Sequence, residues 1–228
     1  MNAHVETTAG DQQGLVPISH VIVAGGRHFT DLELITADLT TLHRLSVGHG
    51  VPVTRLAEYT FEAPGPAMIV AHGGNGIRCL GKPRISADAL AHRAGFELLC
   101  SGLWIQTRAY EVDPAVDGDD RQAAPRKRNS RMVAAVLAAA SPGATIGMAY
   151  PDPASTGTWH CAEEMARRGV PVVVWTAARG ALRQMSVRWP LNRLLIDNSR
   201  PRAAILPGPT ESHAAYAVAI LTALRRPT

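Results

Sequence analysis

Three stretches of this chain put glycines where an apolar run gives way to a helical one. They are Gly25-Gly26-Arg27, His72-Gly73-Gly74-Asn75-Gly76 and Ser155-Thr156-Gly157-Thr158. Junctions of this kind bind anions. Glycine lets backbone N–H groups approach a ligand oxygen closely, and the helix that follows presents unbonded N–H groups at the positive end of its dipole. One glycine turn serves equally well as a plain turn; three at equivalent junctions point to a shared site. A fourth stretch, Arg126-Lys127-Arg128-Asn129 with Arg131, gathers cations at the start of a helical run. Each cation there opposes the dipole by about 0.3 kcal/mol or more, which a nearby phosphate would offset. A solvated basic patch is the alternative reading. The candidate ligand-binding residues are therefore Gly25, Gly26, Arg27, Gly73, Gly74, Arg128, Asn129, Arg131, Ser155, Thr156, Gly157 and Thr158.

The elements that must position them follow from periodicity. ISHVIVA (18–24), AMIVAHGG (67–74), ATIGMAY (144–150) and VPVVVW (170–175) are apolar without alternation, as expected of strands covered on both faces. FELLCSGLWI (96–105) is a further apolar run of that kind. Between them, Leu32, Ile35, Leu39 and Leu42 recur at helical spacing behind a Thr30–Glu33 capping-box pattern. SADALAHRAG (86–95) predicts a short helix closed by Gly95, PRKRNSRMVAAVLAAA (125–140) a longer one, and TWHCAEEMARRG (158–169) a third ended by Gly169. Segments 51–66 and 106–124 have the polar, Pro- and Gly-containing character of loops. AAILP (203–207) and 213–226 suggest one more strand and helix. Alternating strands and helices predict an α/β, Rossmann-like doubly wound fold, a mainly parallel sheet with helices on both faces. Ligands of such sheets bind outside the carboxyl ends of the strands, where the glycine turns fall.

Composition narrows the function classes. With 228 residues, 46% hydrophobic and 18% charged, the chain can form a sizeable core. Residues 1–17 read as a flexible leader, 18–176 as the core and 177–228 as an extension packed on the same domain. The net charge of +4 suits an anionic ligand. No Lys/Arg stripe interleaves with aromatics, so nucleic acid is a possible but not a favoured partner. Cys79, Cys100 and Cys161 form no metal-binding spacing, which predicts reduced thiols, no metal and a cytoplasmic setting. No apolar run reaches the ~20 residues that span a bilayer, so no membrane is expected. The P-loop, the G-x-G-x-x-G fingerprint and the G-x-S-x-G elbow are all missing. NAD in its usual mode is disfavoured, and no cofactor is expected. His72 and His160 read more readily as core or surface histidines than as acid–base groups. Cys161 reads as an inert buried thiol, and Trp104, Trp159 and Trp175 as core.

In order and spacing, VIVAGGRHFTD (21–31), AHGG (71–74) with ISADALA (85–91), AAPRKRNSRM (123–132) and STGTWHCAEEMARRGVPVVVW (155–175) resemble the SLOG superfamily, and within it the YspA-like, YpsA-related group. The resemblance covers residues 18–176. It implies a Rossmann-like sheet that binds or senses a nucleotide or nucleotide-derived ligand across these loops. Asp88 matches the family's aspartate after the second glycine loop, where it would hold a ribose hydroxyl or cap its helix. Relatives include the LOG phosphoribohydrolases, which cleave the base from a nucleoside 5′-monophosphate with a PGGxGT loop and Arg and Glu residues. Gly157 and Thr158 match the GT, and Arg128 or Arg131 the arginine-bearing helix start. Pro151-Asp152-Pro153-Ala154-Ser155-Thr156 stands in place of PGG. His160 and Cys161 stand where the hydrolases carry their glutamates, and Glu163 and Glu164 follow further into the helix. An N-glycosidase of this type is the alternative function, with Glu163, Glu164 and Arg128 as catalytic residues. A third reading is DprA-like binding of single-stranded DNA. A homo-oligomer is compatible with all three.

Overall fold

Val21 and Val23 point to one side of the first strand and Ile22 and Ala24 to the other, and both pairs are buried. A strand apolar on both faces must lie inside a sheet sandwiched between two layers. The computed structural model of the chain describes residues 18–47, 68–74, 86–152, 155–175, 195–196 and 203–206, and gives that arrangement. Strands β1 (His20–Gly25), β2 (Met68–His72), β3 (Ile105–Ala109), β4 (Thr145–Tyr150) and β5 (Val172–Trp175) run parallel in the order β3-β2-β1-β4-β5. Two further strands, β6 (Leu195–Ile196) and β7 (Ala203–Leu206), extend the β5 edge antiparallel, with β7 against β5 and β6 outermost.

Helices α1 (Leu32–Val47) and α2 (Ala87–Cys100) cover one face, where Ile35, Leu39, Leu42, Ala91 and Ala94 pack on Val21, Val23, Ile146 and Met148. Helices α4 (Ala123–Ala139) and α5 (Thr156–Arg167) cover the other, where Met132, Val133, Val136, Ala162 and Met165 meet Ile22, Ala149, Val172 and Val174. A short helix, α3 (Pro114–Asp117), leads into α4. The fold is α/β, Rossmann-like and doubly wound. The chain moves outward from β1 to β3, then returns to β4 on the other side of β1. That reversal opens a crevice between the carboxyl ends of β1 and β4.

Several local expectations need correction. The cap of α1 is Asp31, whose Oδ1 accepts the Leu34 N–H at 2.9 Å; Thr30 is not the capping residue. Helix α2 does not stop at Gly95 but runs to Cys100, so half of the apolar run 96–105 is helical. Gly95 is there for packing, since a Cβ at that position would collide with the Thr107 methyl group. The segment 106–124, expected to be loop, contains most of β3 and all of α3. Helix α5 starts at Thr156, two residues before the expected position. The leader 1–17 and the segments 51–66, 75–85 and 213–226 lie outside the described residues. Among the described residues, no helix is long and apolar enough to cross a membrane.

Tyr150 closes β4 and is fully buried. Its hydroxyl donates to Asp38 Oδ2 of α1 at 2.9 Å, and its ring packs on Phe29 at 4.9 Å between centroids. Burial first, then the Asp38 carboxylate, holds the phenol pKa well above its ordinary value of 10.0. A raised pKa means that the protonated phenol stabilises the fold below pH 10, and that this contribution is lost as the pH rises further. Tyr150→Phe is expected to cost about 1.5–3 kcal/mol at pH 7, the usual worth of a hydrogen bond to a charged group. The variant should also lose less stability than the parent between pH 9 and 11. Urea unfolding at these pH values tests both.

Candidate functional site

The carboxyl ends of β1, β2 and β4 lie side by side, with Val23 opposite His72 and Gly25 opposite Tyr150. The turn after β1 is fastened on two sides. Gly26 donates its N–H to the Tyr150 carbonyl at 2.9 Å, and its own carbonyl accepts the Ala87 N–H at 3.1 Å. A Cβ at Gly25 would collide with that of Ala87, so this glycine lets α2 abut the strand end. Ser86 caps α2 by accepting the Ala89 N–H at 3.1 Å, and Asp88 is buried in the first turn, where a negative charge is favoured. Arg27 is exposed beside this turn.

The loop after β4 is built around Asp152. Its Oδ2 accepts the His28 N–H at 3.1 Å, and its backbone N–H donates to Ser155 Oγ at 2.9 Å. The carboxylate occupies the space that a side chain at Gly26 would need. Because the Ser155 hydroxyl is engaged by Asp152, it forms no side-chain cap on α5. Thr156 is exposed, Gly157 half-buried and Thr158 buried along the first turn, which faces α4 through a hydrogen bond from Asn129 Nδ2 to the Gly157 carbonyl, 3.2 Å. Around Gly157 the space is open, with no atom within 4 Å of where a Cβ would stand. Gly157→Ala is therefore expected to stabilise the fold by about 0.5–1 kcal/mol through helix propensity. The same substitution should weaken anion binding, because the methyl group enters the approach to the N–H groups. Paired melting and binding measurements separate the two effects.

Arg128 projects from α4 to the end of β2. It is 9% exposed, Nη1 donates to the Tyr110 carbonyl at 2.9 Å, and the guanidinium fills the space beside Gly73. Its Nε is buried without a hydrogen-bond partner. Burial lifts the neighbouring Cys161 thiol to about 12 despite the charge of Arg128, so this cysteine is inert as a nucleophile. Asp88 also acts electrostatically on Cys161. His72, fully buried at the end of β2, is pushed down to about 3 by burial, then by His92 and Arg128. Its Nδ1 accepts the N–H of Gly74, whose φ of 71° suits glycine, at 3.2 Å. The His72 proton is then on Nε2, 3.3 Å from His92 Nδ1.

The remaining candidates are engaged elsewhere. Arg131 forms a two-pronged pair with Asp117 of α3, at 3.1 and 2.7 Å, and a 2.9 Å bond to the Glu111 carbonyl. That hydrogen bonding holds the Asp117 carboxyl below its ordinary value. Both Glu164 oxygens are taken, one by Arg167 and the other by Arg168 at 2.7 Å. Glu163 is half-buried on the same helix, and the His160 pKa is lowered by burial and then by Arg126. Asp152, the Tyr110 carbonyl and His92 were not foreseen. In the sequence Asp152 is marked by its position two residues beyond an apolar strand and by lying in the stretch that stands in place of PGG, and neither gives its place beside Gly26. An open groove of about 320 Å³ between α2 and β3, lined by Phe96, Leu99, Trp104 and Gln106 among others, contains no charged side chain and lies away from this crevice. Among the described residues, no group of three or more His, Cys, Asp or Glu could hold a metal ion. Comparison with protein-family models, with curated proteins and with solved structures gives no match.

Proposed function

We infer that the crevice at the carboxyl ends of β1, β2 and β4 binds or senses a nucleotide or nucleotide-derived ligand. The observation that carries this reading is Arg128. A guanidinium buried to this degree with an unbonded Nε is costly unless a partner arrives, and the natural partner is an anion. The first turn of α5, joined to α4 by Asn129, supplies backbone N–H groups on the same side. Carboxyl ends of strands at a topological reversal are where open α/β sheets take such ligands. The resemblance to the SLOG superfamily implies the same location. The alternative is an N-glycosidase acting on a nucleoside monophosphate with Glu163, Glu164 and Arg128 as catalytic residues, and the hold of Arg167 and Arg168 on Glu164 counts against it.

Equilibrium dialysis against nucleoside monophosphates, cyclic nucleotides, ADP-ribose and NAD, read by mass spectrometry, tests the reading. Retention of an intact species is the expected result. Free base with ribose 5-phosphate would turn the protein into a hydrolase. If nothing is retained or altered, the reading fails, and single-stranded DNA becomes the ligand to try.

A further inference from the structure

Asp152 stands at the reversal point of the sheet, between the carboxyl ends of β1 and β4. It is held there by the His28 N–H and by Ser155, and Gly26 leaves it the room. A carboxylate thus occupies part of the place where this kind of sheet takes its ligand. A phosphate brought beside it would face a like charge at short range, in surroundings less polar than water. What a fixed carboxylate accepts is a donor, either a hydroxyl or an ammonium group. Arg128 stands on the opposite side of β1, beside Gly73 at the end of β2. The ends of β2 and β4 are two strand spacings apart, about 10 Å. The crevice is therefore polarised along its length, with a buried cation at one end and a carboxylate at the other.

We propose that Asp152 is the specificity-determining residue of this site, accepting hydrogen bonds from the vicinal hydroxyls of a sugar whose phosphate lies between Arg128 and the first turn of α5. The ligand class is a phosphorylated ribose. A polyphosphate chain running along β4 is excluded by the same carboxylate. This assignment rests on the nucleotide reading above and adds the direction in which the ligand lies.

Asp152→Asn preserves the size of the side chain and one acceptor oxygen for the His28 N–H while removing the charge. Titration calorimetry with the nucleoside 5′-monophosphates of the common bases and their 2′,3′-dideoxy analogues compares parent and variant, with melting curves to verify that both are folded. The parent is expected to bind a ribonucleotide at least tenfold more tightly than its dideoxy analogue. In Asp152→Asn most of that preference should vanish, through weaker binding of the ribonucleotide alone. Equal affinities in the parent, or a preference that survives in the variant, would overturn the assignment and leave the nucleotide reading intact. No binding of either form by the parent would overturn the assignment, and the nucleotide reading falls with it only if cyclic nucleotides, ADP-ribose and NAD are not retained either. Should Asp152→Asn fail to fold, Asp152→Ser is read in the same way.

Discussion

Between pH 6.5 and pH 3 the protein is expected to lose roughly 5 kcal/mol of stability through one side chain, His72, at 1.36 kcal/mol for each unit by which its pKa is lowered. The sign follows from the direction of the shift. A histidine whose pKa falls to about 3 on folding is neutral in the folded protein, whereas the unfolded chain takes up its proton near 6.5. The contribution is complete above pH 6.5 and is lost as the pH falls towards 3. The geometry gives the same answer. Nδ1 accepts the Gly74 N–H, so a second proton on the ring would break that bond and put a charge beside Arg128 and His92. His20, His43 and His160 are shifted in the same direction, chiefly by burial, and steepen the fall. His72→Gln is expected to be less stable at pH 7 yet to show a much flatter profile between pH 7 and 4. Urea unfolding at the two pH values decides the matter; parallel profiles for the two proteins would show that His72 does not dominate.

Arg128→Gln should weaken nucleotide binding by about 10- to 100-fold, the equivalent of a charged hydrogen bond of 1.5–3 kcal/mol. The melting temperature should hold or rise. The glutamine amide ends where Arg128 Nε stands, so the bond to the Tyr110 carbonyl is given up, but the cost of burying a guanidinium disappears with it. That split between affinity and stability is what identifies a ligand-binding residue. A structural arginine would lower both together. Unchanged affinity would move the ligand away from β2, even with binding itself established.

The sheet was legible because its strands are apolar on both faces, and runs such as VIVA and VVVW have few other ways to be buried. The boundary between α2 and β3 was not. FELLC is apolar enough for a buried strand and is helical only because α2 continues through Gly95, which packs on Thr107 of the next strand. The true strand, IQTRA, is an edge strand with mostly exposed or half-exposed side chains, and it carries little hydrophobic signal. The glycines were found for the right junctions, but their space is used differently from what anion binding alone predicts. Ala87, Asp152 and Arg128 fill the room beside Gly25, Gly26 and Gly73. No sequence pattern announces such pairs. His28 and Asp152 are 124 residues apart, and their meeting depends on the topology of the sheet. The Glu164 pairs with Arg167 and Arg168, by contrast, have helical spacing and could have been read directly.

The position of β1 between β2 and β4 also has a consequence for the order of events during synthesis. Among the described strands β1 is the first to leave the ribosome, yet one of its edges pairs with β4, whose last residue is Tyr150. At the usual pace of translation, the HVIVAG edge waits on the order of 10 s for that partner. An apolar strand edge left open for so long is a template for other chains. The nascent protein is thus most exposed to misassembly before its second half exists, and slower elongation between β2 and β4 would lengthen the hazard without altering the finished fold.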